Sequence, residues 1–397
     1  MNKFSFPAYF IYTLLTLCVV ACGKHDDESV DESVTAPPIV TVASLGTPAD
    51  NEIWFTQSFE RFITIDETAF NVTIEDIIYS NEEGGCNIIR FAGDVTTIGE
   101  EAFDGCFSIT NISLPNSVKT IGANAFNNCT NLECLTLGSN IRTCGKRAFE
   151  GCDKLYSLHI PSIESWCNIT FADQKANPLS TAEHLVVNGV VLSELVIPEG
   201  IEEVSPYAFY NGQQFNSVSI PKSVKRIGKY AFYQCNQIKK VDTASVSDWC
   251  KIDFENEEAN PLSIATVLYR NGVQISHVSL TSVGEIFNFT FINCTNIQSF
   301  SADDNFRSIG SNAFRNCSAL TTVSLGRGME YIGEQAFWNC TALTSVTCRA
   351  IYPPMLGDDD VFNKNGNGRS FYRLLPTTNQ VGATMPIIST HYQTNLT

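Results

Sequence analysis

Short apolar runs, each closed by a polar turn, recur along this chain at a fixed interval. Ile98-Gly99-Glu100-Glu101-Ala102-Phe103-Asp104-Gly105-Cys106 leads into Ile112-Ser113-Leu114-Pro115-Asn116-Ser117-Val118. The arrangement returns as Ile121-Gly122-Ala123-Asn124-Ala125-Phe126-Asn127-Asn128-Cys129 with Leu135-Thr136-Leu137, then as Cys144-Gly145, Ala148-Phe149, Cys152 and Leu158-His159-Ile160-Pro161. Phe103, Phe126 and Phe149 lie 23 residues apart, as do Cys106, Cys129 and Cys152. Further copies are headed by Phe209, Phe232, Phe291, Phe314 and Phe337, so eight phenylalanines align. Seven of the eight have a cysteine three residues later, with Cys235, Cys294, Cys317 and Cys340 completing the set; the exception is Gly212.

Within each unit a stretch such as Leu320-Thr321-Thr322-Val323-Ser324-Leu325 alternates apolar and polar residues, the period of a strand with one buried face. One coil of this length cannot bury its own Phe and Leu, so the coils must stack around a shared core. Each buried phenylalanine contributes about 1.5–3 kcal/mol, which makes the aligned rings a main part of the spine. The period falls within the roughly 20–29 residues of leucine-rich repeats. The expected fold is therefore a leucine-rich-repeat solenoid, β-rich α/β, with one parallel strand per coil of about 23 residues and short helices or turns on the other side.

Two intervals are longer, 60 residues from Phe149 to Phe209 and 59 from Phe232 to Phe291. The first holds Ser165-Trp166-Cys167, Asn177-Pro178-Leu179 and Val187-Asn188-Gly189-Val190; the second holds Asp248-Trp249-Cys250, Asn260-Pro261-Leu262 and Arg270-Asn271-Gly272-Val273. Asn-Gly between β-formers predicts a hairpin, because a type I′ turn needs positive φ at both central residues. Each insert, about 161–198 and 244–280, therefore reads as a modified coil carrying a hairpin. The pattern Ile-Gly-x-x-Ala-Phe-x-x-Cys-x-x-Leu-x-x-Val-x-Leu-Pro closely resembles the BspA-like leucine-rich repeats of bacterial surface proteins, over about residues 95–350. The resemblance implies a short β-rich cap at 51–94, a C-terminal cap and irregular tail at 351–397, and binding to host matrix proteins or other cells.

The N-terminus changes the picture from fold to location. Lys3, the apolar Phe10–Val20 stretch and small residues before Cys22 make a secretory signal at 1–21, too short to remain as a spanning helix. The residues leading into Cys22 resemble a bacterial lipobox, which implies lipidation of Cys22. Residues 22–50 begin with Asp26-Asp27-Glu28 and Asp31-Glu32 and read as a solvated acidic tether. An acidic patch just after a lipidated cysteine resembles the surface-export signal of some Gram-negative lipoproteins. The expected address is the outer membrane, facing outward, with membrane contact only through the lipid.

Charge and cysteine content then narrow the chemistry. With 25 Lys+Arg against 42 Asp+Glu, a net charge of -17 argues against nucleic acid as a partner. Thirteen cysteines follow Cys22, and seven occupy the one ladder position in each coil. Stacked side chains lie about 4.8 Å apart, wider than the ~3.8 Å Cβ separation of a disulfide, so buried thiols are expected there. Cys86, Cys134, Cys144 and Cys348 lie off the ladder, and their pairing is open. His25, His159, His184, His277 and His391 are scattered, and no zinc or P-loop signature occurs. Asp358-Asp359-Asp360 before Gly366 looks like a calcium loop, but alignment on Gly366 puts Val361 where an oxygen ligand belongs. No catalytic residue, cofactor or metal is expected.

What remains is surface. The outward strand positions include Asn111 and Ser113, Glu133 and Thr136, Tyr156 and His159, Lys239, Lys240 and Asp242, and Thr321 and Ser324. Tyr156, His159, Lys239, Lys240 and Asp242 are the candidate binding residues for a protein or cell-surface ligand. Tyr210, Tyr233 and Trp338 each follow a core phenylalanine and are candidates for stacking on sugar rings. The expected function is adhesion or protein binding; a glycan-capturing lipoprotein is the alternative, and an enzyme with its site in the Trp-Cys inserts a third.

Overall fold

Alternation along Leu320–Leu325 becomes the strand Thr322–Leu325, with Val323 and Leu325 buried and Thr322 and Ser324 outward. The chain then turns into a two-residue strand, Tyr331–Ile332, and a run of tight turns carries it back to the next long strand, Ser345–Cys348. The two long strands pair in parallel, Val323 beside Val346 and Leu325 beside Cys348. Repetition of this unit builds a parallel β-solenoid of about eleven coils. The computed structural model describes residues 44–58, 63, 65–81 and 85–365, with the backbone strand Ser370–Arg373. Cys22, most of the acidic segment and the chain beyond Arg373 lie outside the described residues.

Long strands form three successive sheets. The first has eight strands and ends in Val190–Val191; the second runs from Glu194–Val196 to Val273–Gln274; the third runs from His277–Leu280 to Ser370–Arg373. Glu52–Gln57 adds antiparallel to Ile109–Ser113 and, with Asn87–Phe91 and Ile74–Ile78, extends the first sheet beyond the first coil. The two-residue strands form their own sheets of four, three and four strands.

Inside, the rings of Phe103, Phe126 and Phe149 stack at 5.0 and 5.2 Å with planes within 6°. Phe209 and Phe232 stack at 5.6 Å, and Phe291, Phe314 and Phe337 at 5.1 Å per step. These spacings are close to the separation of neighbouring strands, because the backbone sets the pitch of the rings. A ninth ring, Phe362, stacks on Phe337 at 5.3 Å and 1°. The 23-residue register misses it because it follows Phe337 by 25 residues. In the same coil Val361, which heads the calcium-loop likeness, is buried in the core.

The cysteine column has its own contact. The thiols of Cys129, Cys152, Cys235, Cys317 and Cys340 donate to the carbonyls of Phe103, Phe126, Phe209, Phe291 and Phe314, one coil back, at 3.0–3.2 Å. A cysteine is thus both a small hydrophobe and a weak donor to a buried carbonyl. Among the described residues no two cysteines are joined in a disulfide, Cys134 and Cys144 included, and Cys86 alone of them is exposed. Burial pushes Cys235, Cys294 and Cys340 up to about 12. Where Gly212 replaces the cysteine, Phe215 replaces the smaller Leu or Ile three residues on, and its ring lies 2.5 Å from where a Cβ on Gly212 would sit.

Repeat glycines mark close approach. A Cβ on Gly122 would lie 2.4 Å from the Gly99 carbonyl carbon, and one on Gly145 2.4 Å from the Ala123 nitrogen. Both contacts are with backbone of the preceding coil, which has no free rotation to yield.

The inserts close the coil differently. Ser162 and Ser245 cap the short helices Ile163–Cys167 and Val246–Trp249. Trp166 and Trp249 are fully buried, and their indole N–H groups donate to the Ala208 and Thr290 carbonyls at 2.8 and 2.9 Å. Asn177 accepts from the Leu179 amide and donates to the Tyr207 and Ala208 carbonyls; Asn260 does the same with Leu262, Phe289 and Thr290. Two hairpins follow, with Asn188 and Gly189 at φ 52° and 77° and Asn271 and Gly272 at 49° and 80°. Both turns are therefore left-handed at both central residues, as a type I′ turn demands.

Candidate interaction surface

Outward side chains of the long strands line up in rows across each sheet. In the first sheet Ser113, Thr136, His159 and Val186 occupy one row. All four are buried, which corrects the expectation that Ser113, Thr136 and His159 face solvent. At one end the Ser113 hydroxyl donates to the Gly46 carbonyl, so backbone lies over the row; at the other the apolar Val186 flanks His159. Burial holds the His159 imidazole below its ordinary pKa, and its Nε2 has no hydrogen-bond partner. Alternation tells which residues share a face, not whether that face is covered.

Tyr156 is exposed, as expected. Its hydroxyl lies 3.1 Å from His184 Nε2, and the two rings meet edge to face at 4.7 Å. Tyr156 borders an open cleft of about 610 Å3 whose lining also includes Asn111, Glu133, Asp153, Lys154 and Glu183. Three carboxylates around one aromatic ring suit a ligand rich in hydroxyls or positive charge.

Lys239, Lys240 and Asp242 sit on the second sheet, away from the Tyr156 site. The Lys240 ammonium lies 3.3 Å from Asp242 Oδ2 and 5.1 Å over the Tyr269 ring, while the Gly272 amide donates to that same oxygen at 2.7 Å. Asp242 thus pins the hairpin turn, and Lys240 is held against it; Lys239 is exposed.

The aromatic candidates divide. Tyr210 and Tyr233 lie together at 5.5 Å, tilted by 37°, and Tyr207 and Tyr230 join them, stacked on each other at 5.7 Å. Tyr207 and Tyr230 also contact Tyr210 and Tyr233 at 6.2 and 5.8 Å, making a four-ring cluster. Tyr207 and Tyr230 have φ near 60°, a region that bulky residues rarely enter. They escaped the sequence reading, although aligning the position two before each core phenylalanine sets them against Asn124, Arg147, Asn312 and Gln335. Trp338 belongs to a later coil, where Lys364 lies 4.5 Å over its ring, and it does not join the tyrosines.

In the insert motifs Trp166, Cys167, Asn177, Trp249, Cys250 and Asn260 are buried, and their indole and amide donors are spent on backbone carbonyls. Among the described residues no group of three His, Cys, Asp or Glu is placed to hold a metal ion.

A leucine-rich repeat protein from Bacteroides ovatus is similar at 19% identity over 76% of this chain and 91% of its own, with a TM-score of 0.33. A leucine-rich cell surface protein from Faecalibacterium prausnitzii is 18% identical over 83% and 87%, and the pneumococcal vaccine antigen PcpA 15% over 77% and 78%, each with a TM-score of 0.38. No curated protein matches the chain. The family model for the BspA type leucine rich repeat region matches residues 55–178, 186–264 and 262–352, in 6 copies. With its ring stack, its thiol column and that match over most of its length, the chain belongs to the BspA-type leucine-rich repeat family.

Proposed function

We propose that this is an exported, lipid-anchored protein whose solenoid binds partner proteins at the cell surface, on host matrix or on other cells, rather than a catalyst. One observation carries the reading: the outward face of the third sheet. His277, Ser299, Thr322 and Ser345 form one row across it, and Ser279, Ser301, Ser324 and Thr347 a second, all at least partly solvent-exposed. A wall of short polar side chains on a rigid backbone loses little side-chain entropy when a partner docks. Export and anchoring rest on Lys3, the apolar Phe10–Val20 stretch and Cys22. The test is capture of host matrix proteins by immobilised residues 36–397 against a scrambled-repeat control, with protease shaving of intact cells. Capture no better than the control would defeat the binding reading, and resistance to shaving the surface address.

Glycan binding is the second reading, favoured by the cluster of Tyr207, Tyr210, Tyr230 and Tyr233, of which Tyr230 and Tyr233 are exposed. Tyr210→Ala with Tyr233→Ala should then abolish retention on a glycan array. Unchanged retention would remove these rings from the account.

A further inference from the structure

Each Asn-Gly hairpin ends a sheet, and the strand after it opens the next. Two strands therefore have a neighbour on one side only: Glu194–Val196, beside Ser217–Ile220, and His277–Leu280, beside Ser299–Ala302. In a parallel ladder the backbone groups of successive residues point alternately to the two sides. The Ser276 and Leu280 carbonyls accept from the Gln298 and Asp303 amides, at 2.7 and 3.2 Å. Residues 276, 278 and 280 thus face the following coil, and the N–H and C=O of His277 and Ser279 face away from it.

That edge borders a cleft of about 390 Å3 at the ends of the strands Lys240–Thr243 and Leu268–Arg270, lined by Ser245, Ser247, Arg270, His277 and Ser279 among others. The hairpin strand Val273–Gln274 pairs with Tyr269 and Arg270 and goes no further. An uncovered strand edge is a template for another strand, and folded proteins ordinarily cover or blunt one. Arg270 is exposed and enters no ion pair among the described residues. The other edge, at Glu194–Val196, presents an exposed carboxylate instead of a cation.

We propose that His277–Leu280 accepts an extended acidic peptide segment of a partner protein as an added strand. The backbone groups of His277 and Ser279 would bond the incoming strand, and Arg270 would meet its carboxylate. The inference rests on the protein-binding reading above and gives that binding a location and a partner chemistry.

The probe is an amidated hexapeptide of alternating Thr and Val with one central Glu and an N-terminal fluorescein, against which residues 36–397 are titrated by fluorescence anisotropy. Three companions are a Lys-for-Glu version, a version N-methylated on its edge-facing amides, and the Arg270→Glu protein. The Glu peptide is expected to bind about fivefold tighter than the Lys peptide, with the order reversed on Arg270→Glu. N-methylation is expected to weaken binding about tenfold or more, since two backbone hydrogen bonds are lost without touching the protein. Hydrogen exchange should slow at the His277 and Ser279 amides when the Glu peptide is present. Absent binding, indifference to N-methylation, or protection confined to other coils would overturn the proposal. Matrix capture that survives in Arg270→Glu alongside such a result would overturn the edge alone and leave the surface reading standing.

Discussion

A regular coil and a tryptophan-bearing coil solve one problem with different chemistry. Stacking coils buries the carbonyl just before each core phenylalanine, and that carbonyl needs a donor from the preceding coil. In regular coils the donor is the backbone amide of the preceding coil's phenylalanine, as Phe291 donates to the Ala313 carbonyl at 2.7 Å. A thiol such as that of Cys317 adds a second donor to a phenylalanine carbonyl that already accepts from the amide three residues on. At the inserts the donors are an indole and a carboxamide reaching forward, as Trp249 and Asn260 both reach the Thr290 carbonyl. Ala176 and Ala259 then stand where other coils have phenylalanine, Lys175 and Glu258 before them bonding back to Phe149 and Phe232 as Ala148 does to Phe126. The exchange of Phe and Cys for Ala, Trp and Asn lets a coil grow to hold a hairpin while the Ala208 and Thr290 carbonyls keep their donors. The hairpin then ends one sheet and leaves the edge from which the next begins.

The comparison is most severely tested at the ring stack. Phe314 contacts Phe291, Phe300 and Phe337, so Phe314→Ala removes the centre of a four-ring column. The expected loss is about 3–5 kcal/mol, read as a fall in urea midpoint and as faster exchange across coils 285–340. A loss confined to one coil would mean the rings pack locally and do not form a spine.

Next in size is the close approach that only regular coils make. Gly145→Ala drives a methyl into the backbone of Ala123, where the contact would be 2.4 Å. The expected cost is about 1–3 kcal/mol. The insert coil has Ala172 at the equivalent place, its amide bonded to the Cys144 carbonyl as that of Gly145 is to Ile121. Ala172→Gly should accordingly change stability by less than Gly145→Ala, and equal effects would erase the distinction between the two coil types.

A smaller, sharper test uses the shared carbonyl of the insert. Trp249→Phe leaves a ring but no N–H, and Asn260 still donates to Thr290; Asn260→Leu leaves Trp249 in place. Each change should cost about 1–3 kcal/mol, and the pair more than the sum, because only the double variant strands the Thr290 carbonyl. Simple additivity would show that the two donors do separate work.

Most of this architecture is legible in the residues themselves, for reasons that also mark where legibility ends. A 23-residue period exposes the stack from Phe103 to Phe337, because identical coils place identical residues one above another. Asn188-Gly189 and Asn271-Gly272 announce their turns because few other pairs tolerate two left-handed residues in succession. Phe362 is lost because its spacing departs from the period while its ring position does not. The exchange of Cys for Gly at 212 looks like a defect until Phe215 is seen filling the space, since compensation between neighbours is a property of packing. The candidate surface was read least well. His159, expected to face solvent, is buried, because what covers a strand face comes from elsewhere in the chain and leaves no trace in its alternation.

The weakest donor gives the smallest effect and the clearest sign. Cys235 donates to the Phe209 carbonyl at 3.0 Å, and burial raises its pKa from 9.0 to about 12. Near pH 7 Cys235→Ala should destabilise by about 1 kcal/mol, from lost packing and one weak hydrogen bond. A raised pKa means that the folded state holds the proton more tightly than the unfolded state. The stability it contributes is complete below 9.0 and is lost progressively as pH rises towards 12. At pH 10 an ionised unfolded thiol has already removed about 1.4 kcal/mol per cysteine. The stability curves of wild type and Cys235→Ala, followed under reducing conditions, should therefore converge and cross near pH 10. Parallel curves from pH 7 to 11 would mean that this thiol titrates alike in both states, and that the column of cysteines is not dry.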